Sequence, residues 1–417
     1  MFGTLMAGGY YSPINMDAPS HRHIEILRQF QPDVVMSTQK LITDLQLTDM
    51  DATFVDIDDL SPKELPEPFA VHEIAYVIFT SGSTGQPKGV VIPRTALAHY
   101  TQWAIKEMHV SPSDRWSQHP NIAFDLSVLD IYGALCGGAT LYPLTSKKDR
   151  LLPAKFIKQH QLTIWDSVPS VIDLMTKARQ VTGENLHSLR LLTFCGEPLY
   201  QRHLDAIFNA NNTVMVHNTY GPTEATVSCS LIHLTAKNYL NYCDNSVALG
   251  QPIQGMEFEL VGDVNEEGEL VLLGEQLALG YWKNDSETER VFRPIHINGK
   301  YRNSYHTGDW VIKRGGEYYF AGRIDSQVKI RGNRVEMDEI DSTIFALGYG
   351  KSCTVIADEE LHSFIETTQL PNILELKTIL STYLPEYEIP GYIYAIKDFP
   401  RNTNDKIDRK KLVETIV

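Results

Sequence analysis

The sequence predicts an α/β protein in two parts: a large N-terminal domain of βαβ-type sheets flanked by helices, with a small β-barrel-like part, and a small α+β C-terminal domain. Three observations predict it. Helical and apolar strand-like segments alternate from Ala75 to His217, which makes βαβ units and mainly parallel sheets. From Ala248 the texture changes to short strands with Gly turns, as in an antiparallel barrel or small sheet. Beyond Arg323 a charged stretch leads into a compact tail, placing a boundary near Asp325 and dividing the chain into 1–324 and 325–417. A length of 417 residues is also too great for one small core.

Met1 to Ser20 opens on an apolar segment with Gly8-Gly9 and Pro13, an abrupt start that predicts a preceding segment. A helix is expected over His23–Phe30 and a short buried strand over Pro32–Ser37; residues 38–72 are acidic and turn-rich, a surface excursion. The apolar run Ala75–Phe79 reads as a strand that empties into Thr80-Ser81-Gly82-Ser83-Thr84-Gly85-Gln86-Pro87-Lys88-Gly89, followed by a helix over Ala96–Met108. Further helices are expected at Leu126–Leu135, Lys155–His160 and Ser170–Ala178, and strands at Ala139–Tyr142, Leu162–Trp165, Leu189–Phe194 and Thr213–His217. Short strands follow at Glu257–Leu260, Glu269–Leu273, Trp310–Lys313 and Tyr318–Phe320, with tail helices near Met337–Leu347 and Ile373–Tyr383.

Composition excludes several classes. Hydrophobic content of 43% and charged content of 21% are ordinary for a soluble globular protein. A net charge of −15 argues against nucleic-acid binding, which draws on Lys and Arg to neutralise phosphates. Any phosphate site must therefore be a local positive pocket. Five cysteines without a C-x-x-C pair suit reduced thiols rather than a disulfide framework or zinc site. No apolar run reaches transmembrane length, so no membrane insertion is expected and the chain reads as cytoplasmic.

The Thr80–Lys88 stretch carries the first chemical signal. Small residues let the backbone approach an anion, successive N–H groups and hydroxyls can wrap its oxygens, and Lys88 adds a positive charge. The bland reading is a flexible Gly/Ser linker; a linker seldom sits between a core strand and a helix. The spacing does not fit G-x-x-x-x-G-K-[ST], so no Walker-type ATPase is implied. Asn218-Thr219-Tyr220-Gly221-Pro222-Thr223-Glu224 crowds an amide, an aromatic ring, hydroxyls and a carboxylate into one turn, which could hold adenine and offer an oxygen to Mg²⁺. Tyr305-His306-Thr307-Gly308-Asp309 offers a carboxylate for ribose hydroxyls, and Gly322-Arg323-Ile324-Asp325 a guanidinium for ribose or phosphate. Asn402-Thr403-Asn404-Asp405-Lys406 presents a lysine on a polar turn. Singly, Asp309 could cap a turn, Arg323 could pair at the surface and Lys406 could be solvated. Together, in this order, chance explains them poorly.

The set resembles the adenylate-forming superfamily, in particular the amino-acid adenylation domains of nonribosomal peptide synthetases and their stand-alone relatives. Within it, Phe124-Asp125-Leu126-Ser127-Val128-Leu129-Asp130, Phe194-Cys195-Gly196-Glu197 and Asn218–Val227 are most similar to D-alanine:carrier-protein ligases. The resemblance implies ATP and Mg²⁺ as cofactors, with Lys406 contacting both the substrate carboxylate and ATP, Arg323 near ribose and phosphates, and Glu224 holding the metal. It further implies Thr80, Ser81, Gly82, Ser83, Thr84, Gly85 and Lys88 on phosphate, and Gly196, Glu197, Asn218, Thr219, Tyr220, Gly221, Thr223 and Asp309 around the nucleoside. Asp125 matches the carboxylate that holds a substrate's α-ammonium; its bland reading is a cap on the helix at Leu126, and both can hold. Cys195 matches a pocket-shaping cysteine, though a lone cysteine is more often a small buried hydrophobe. Leu126, Leu129, Thr193, Thr219, Val227 and Ser228 complete the wall, and a second carboxylate at Asp166 would argue against plain alanine.

The resemblance also implies that the small C-terminal domain is mobile about a hinge at Asp325. Its rotation would withdraw Lys406 and bring Gly332 to a channel for the phosphopantetheine thiol of an acyl or peptidyl carrier protein; otherwise the charges of Lys329–Arg334 form a solvated hairpin. The implied function is ATP-dependent activation of a small amino acid, D-alanine foremost, and its transfer to that thiol. The rivals are adenylation of another amino acid for peptide or polyketide synthesis, and a non-catalytic nucleotide-binding remnant.

Overall fold

A computed structural model describes residues 1–45, 47, 50–60, 71–82, 86–262, 266–297, 299–401 and 407–416. Its largest sheet has seven strands in the order Gln251–Pro252, Ser230–Leu234, Met215–Tyr220, Leu191–Phe194, Ile164–Ser167, Arg115–Gln118, Thr140–Pro143. The five from Met215–Tyr220 to Thr140–Pro143 are parallel, and the other two add antiparallel edges. Leu191–Phe194 is buried at all four positions, as a parallel strand covered by helices on both faces must be. Helix Gln201–Ala210 supplies one cover: His203, Leu204, Ile207 and Phe208 fall on one stripe and are buried. Truncating Leu204 to Ala in that layer would cost about 2–5 kcal/mol.

Strand Val34–Ser37 is not buried as expected: among the described residues it pairs only with Thr53–Asp56 in a two-stranded sheet, and its residues alternate between exposed and half-buried. A second sheet corrects another expectation. The Gly-rich stretch does not run from strand to helix: Lys88–Pro93 forms a strand antiparallel to Ile74–Thr80, and helix Arg94–Glu107 starts only after it. The stretch therefore joins a β-hairpin, and Lys88 opens a buried strand. A third sheet of four antiparallel strands, Met256–Gly262, Glu267–Gly274, Tyr305–Arg314 and Glu317–Arg323, accounts for the change of texture after Ala248.

The tail begins with the hairpin Gln327–Ile330 and Asn333–Glu336, then helix Met337–Ala346 and a sheet of Ser352–Ala357, Glu360–Glu366 and Tyr392–Ile396. Its two apolar clusters, centred on Ile340 with Leu376 and on Cys353 with Leu412, draw only on residues from Val328 onward. No helix among the described residues is long and apolar enough to cross a membrane.

Candidate active site

Parallel strands end together, so the turns after Leu191–Phe194 and Met215–Tyr220 lie side by side at the carboxyl edge of the large sheet, where ligands of such sheets gather. There Tyr220 donates its hydroxyl to Asp309 Oδ2 at 2.5 Å, and Arg323 Nη1 donates to Asp309 Oδ1 at 2.5 Å. Asp309 and Arg323 face each other as register partners in the four-stranded sheet, which fixes their pairing. Asn218 Nδ2 donates to the Ala248 carbonyl at 2.8 Å, leaving its Oδ1 as an acceptor. Thr219 donates to the Phe194 carbonyl at 3.0 Å. Gly221 admits no side chain, because a Cβ there would lie 2.5 Å from Ser228 Cα.

Glu224 is the electrostatic centre. It is 0% exposed, accepts the Tyr281 hydroxyl at 2.6 Å, and binds Arg334 Nη1 through both oxygens at 2.9 Å. Burial pushes this carboxyl up, but Arg334 and the Tyr281 hydroxyl outweigh it and leave it at about 2. Lys88, 7% exposed, pairs with Glu287 at 3.4 Å and Glu336 at 3.6 Å and lies over the Tyr281 ring. At the described start of the Gly-rich loop, Ser81 donates to the Arg334 carbonyl at 2.6 Å and the Gly82 N–H to the Glu339 carboxylate at 3.3 Å. Thr80 donates across its hairpin to the Lys88 carbonyl at 3.4 Å. Ser83, Thr84, Gly85 and Lys406 lie outside the described residues.

The tail thus presents a cation to Glu224 and carboxylates to Lys88 and the Gly82 amide. These groups bind opposite charge in the way the phosphates and metal of a nucleotide would require. Within the hairpin Arg334 is not solvated, being spent on a buried carboxylate, whereas Arg331 is exposed. Gly332, at φ +79°, donates its N–H to Glu197 Oε1, and a Cβ there would meet Val168 at 2.5 Å. The other Glu197 oxygen accepts the Ser170 N–H at 3.0 Å, so in this arrangement Glu197 seats the hairpin; its neighbour Gly196 turns at φ +91°. Asp325 binds Arg323 Nε and Nη2 at 2.6 and 2.7 Å and accepts the Gln327 N–H at 3.2 Å, joining the four-stranded sheet to the hairpin.

Beside this site, Leu126, Leu129, Thr193, Cys195, Thr219, Val227 and Ser228 are all buried. Asp125 has helical backbone angles and makes no side-chain cap, which removes the capping alternative. Burial raises its carboxyl, opposed by the Thr223 hydroxyl and the Lys329 ammonium, so it lies against the Asn218–Glu224 turn. Burial pushes the Cys195 thiol up to about 11, and the thiol contacts the Val227 carbonyl at 3.8 Å. Thr226 and Val227 have φ of +54° and +69°, a strained conformation for β-branched residues, held by the Thr226 hydroxyl on the Gln276 carbonyl at 2.7 Å. Sequence reasoning missed Tyr281, Arg334, Glu336 and Glu339; only Arg334 had stood in a quoted motif. A groove of about 470 Å³ on the outer face of helix Arg94–Glu107, lined by His99 and Trp103, shares none of these residues.

A family model described as AMP-binding enzyme matches residues 1–282. The D-alanine--D-alanyl carrier protein ligase of Staphylococcus aureus (strain Newman) is 32% identical, covering 100% of this chain and 86% of the relative. The Vibrio cholerae adenylation domain AlmE, solved in complex with glycyl-adenosine-5'-phosphate, superposes with a TM-score of 0.84 at 28% identity, over 99% of this chain and 85% of that one. Holo-PA1221, a protein with adenylation and PCP domains, shares the fold with a TM-score of 0.80 at 22% identity, over 99% of this chain and 72% of that one. With the family match spanning well over half its length, this chain is an enzyme of the AMP-binding family.

Proposed function

We propose that the protein activates a small amino acid with ATP and loads it onto the phosphopantetheine thiol of a carrier protein. One observation carries this reading: Tyr220, Glu224, Asp309 and Arg323 converge beside the buried carboxyl of Asp125. In the first step an oxygen of the amino-acid carboxylate attacks the α-phosphorus of ATP; the new P–O bond replaces the bond to pyrophosphate, which leaves. Both reactants are anions, so catalysis is positioning and charge neutralisation. Asp125 would hold the α-ammonium, Tyr220 would lie along adenine, Asn218 Oδ1 would accept its amino group, and Asp309 with Arg323 would hold ribose. Lys88 and the Gly82 amide would take phosphate oxygens, with Lys406 bridging carboxylate and nucleotide.

Magnesium fits at Glu224, whose buried carboxylate is ionised and already binds a cation, and it would neutralise phosphate charge there. No cluster of three or more metal-ligating side chains occurs among the described residues, so phosphate oxygens and water would complete the coordination.

In the second step the carrier thiol attacks the acyl carbon: a C–S bond forms, the C–O bond to AMP breaks, and the thiol proton goes to solvent. The docked hairpin suits this step. Arg334 on Glu224 and Glu339 on Gly82 occupy groups that pyrophosphate and its metal would have vacated, while Asp325 would serve as the hinge. The relatives' names support a carrier-protein partner and a small substrate, D-alanine in the ligases and glycine in the bound adenylate of AlmE. Carrier loading tests the reading: mass spectrometry of a holo-carrier incubated with protein, ATP and D-alanine should show the aminoacyl thioester. An unmodified carrier with every small amino acid would contradict it.

A further inference from the structure

The wall expected around the amino acid is not wholly apolar. Asp166 on strand Ile164–Ser167 is 0% exposed, and its carboxylate oxygens meet no hydrogen-bond partner among the described residues other than the Asp130 carboxyl. Its register partner on the next strand is Thr193, also 0% exposed, whose hydroxyl has none either. Register partners in a parallel pair share a face, and Cys195 lies on that face two residues on. Asp130 faces Asp166 from the segment Leu129–Gly133: its Oδ2 accepts the His119 N–H at 3.2 Å, while its Oδ1 has no partner among the described residues other than the Asp166 carboxyl.

Burial raises both carboxyls; repulsion from Asp166 raises Asp130 further, while a hydrogen bond with Asp130 lowers Asp166, so the pair shares a proton rather than ionising twice. Lys329, which acts on Asp125 and Cys195, is not among the groups acting on Asp166 or Asp130. Buried polar atoms without partners are costly, and a methyl side chain would satisfy none of them. The shared proton joins one oxygen of each carboxyl, which leaves the second Asp166 oxygen and the Thr193 hydroxyl open. An ammonium brings three donors and the compensating charge; a hydroxyl brings one donor and no charge. Leu126, Leu129 and Val227 are buried in one apolar cluster with Cys195.

We infer that Asp166, backed by Asp130 and flanked by Thr193, reads the side chain of the substrate, and that the preferred substrate is a short amino acid carrying a second amino group rather than alanine. The inference rests on the proposed adenylation function and names the substrate class for its pocket.

The test is amino-acid-dependent ATP–pyrophosphate exchange with both enantiomers of 2,3-diaminopropionate, 2,4-diaminobutyrate, serine and alanine, plus glycine. A diamino acid should exceed alanine in kcat/KM by about tenfold or more. Asp166→Asn, near-isosteric, should lower that ratio by about tenfold or more, chiefly through KM for the diamino acid. Preference for alanine, glycine or serine, or a ratio unmoved by Asp166→Asn, overturns the inference and leaves the adenylation reading intact. Exchange with no amino acid overturns both. Should Asp166→Asn fail to fold, calorimetry on the unaltered protein decides: 2,3-diaminopropionate, with a non-hydrolysable ATP analogue present, must bind more tightly than alanine.

Discussion

Arg334→Ala separates the two half-reactions. Arg334 Nη1 lies 2.9 Å from both oxygens of Glu224, which is 0% exposed. Removing one partner of a fully buried ion pair costs about 3–5 kcal/mol. Here the Arg334 side chain keeps 17% of its exposure, and the Tyr281 hydroxyl remains on Glu224 at 2.6 Å, so part of that cost is spared. A loss of about 2–3 kcal/mol in hairpin docking corresponds to about 30- to 150-fold fewer docked molecules. In the proposed cycle adenylation would take place with the hairpin away from the nucleotide groups, so pyrophosphate exchange should stay within about twofold of the unaltered enzyme. Single-turnover loading of the carrier from preformed adenylate should slow by about 30- to 150-fold. Equal losses in both assays, or unaltered loading, would refute the assignment of Arg334 to the second step.

Gly332→Ala should show the same split by sterics, since its Cβ would meet Val168 at 2.5 Å in a backbone at φ +79°; equal loss of exchange counts against this. Asp309→Ala removes the acceptor of the Tyr220 hydroxyl and the Arg323 guanidinium, so the Kd for ATP by calorimetry should rise about 10- to 100-fold, with the amino-acid KM little changed. Acid stability should follow His217, which burial, and then His233, hold down at about 3 from 6.5. Below pH 6.5 the unfolded chain protonates this base first, so stability is full above 6.5 and falls as pH drops toward about 3; His217→Gln should flatten that slope in denaturant titrations. Asp114 behaves as a depressed acid: burial raises it, but the Arg190 and Thr163 hydrogen bonds hold it at about 2, so its contribution is present above 3.8 and lost as pH falls to about 2.

Periodicity and turn residues made most of the large sheet and its helices legible. Leu191–Phe194 and Ser170–Lys177 lie within one or two residues of expectation, because each is a long enough apolar run ended by local signals. Strand Lys88–Pro93 was missed. Its short run Val90-Val91-Ile92 runs straight into a helix, and only pairing with Ile74–Thr80 identifies it. The individual polar residues of the site were visible because each chemical task needs a particular residue type. Their partners were not: Arg334 meets Glu224 across 110 positions, and Glu339 meets Gly82 across 257. The left-handed backbone at Val227 defies its residue type and could only be seen in three dimensions.

The fate of the nucleotide tests the account most directly. With ATP labelled at the α-phosphate, a small amino acid and holo-carrier, nucleotide products and thioester should be counted together. The account predicts AMP and pyrophosphate in equal amounts, one AMP for each carrier loaded. Release of ADP and phosphate, or no turnover with any small amino acid, would contradict it.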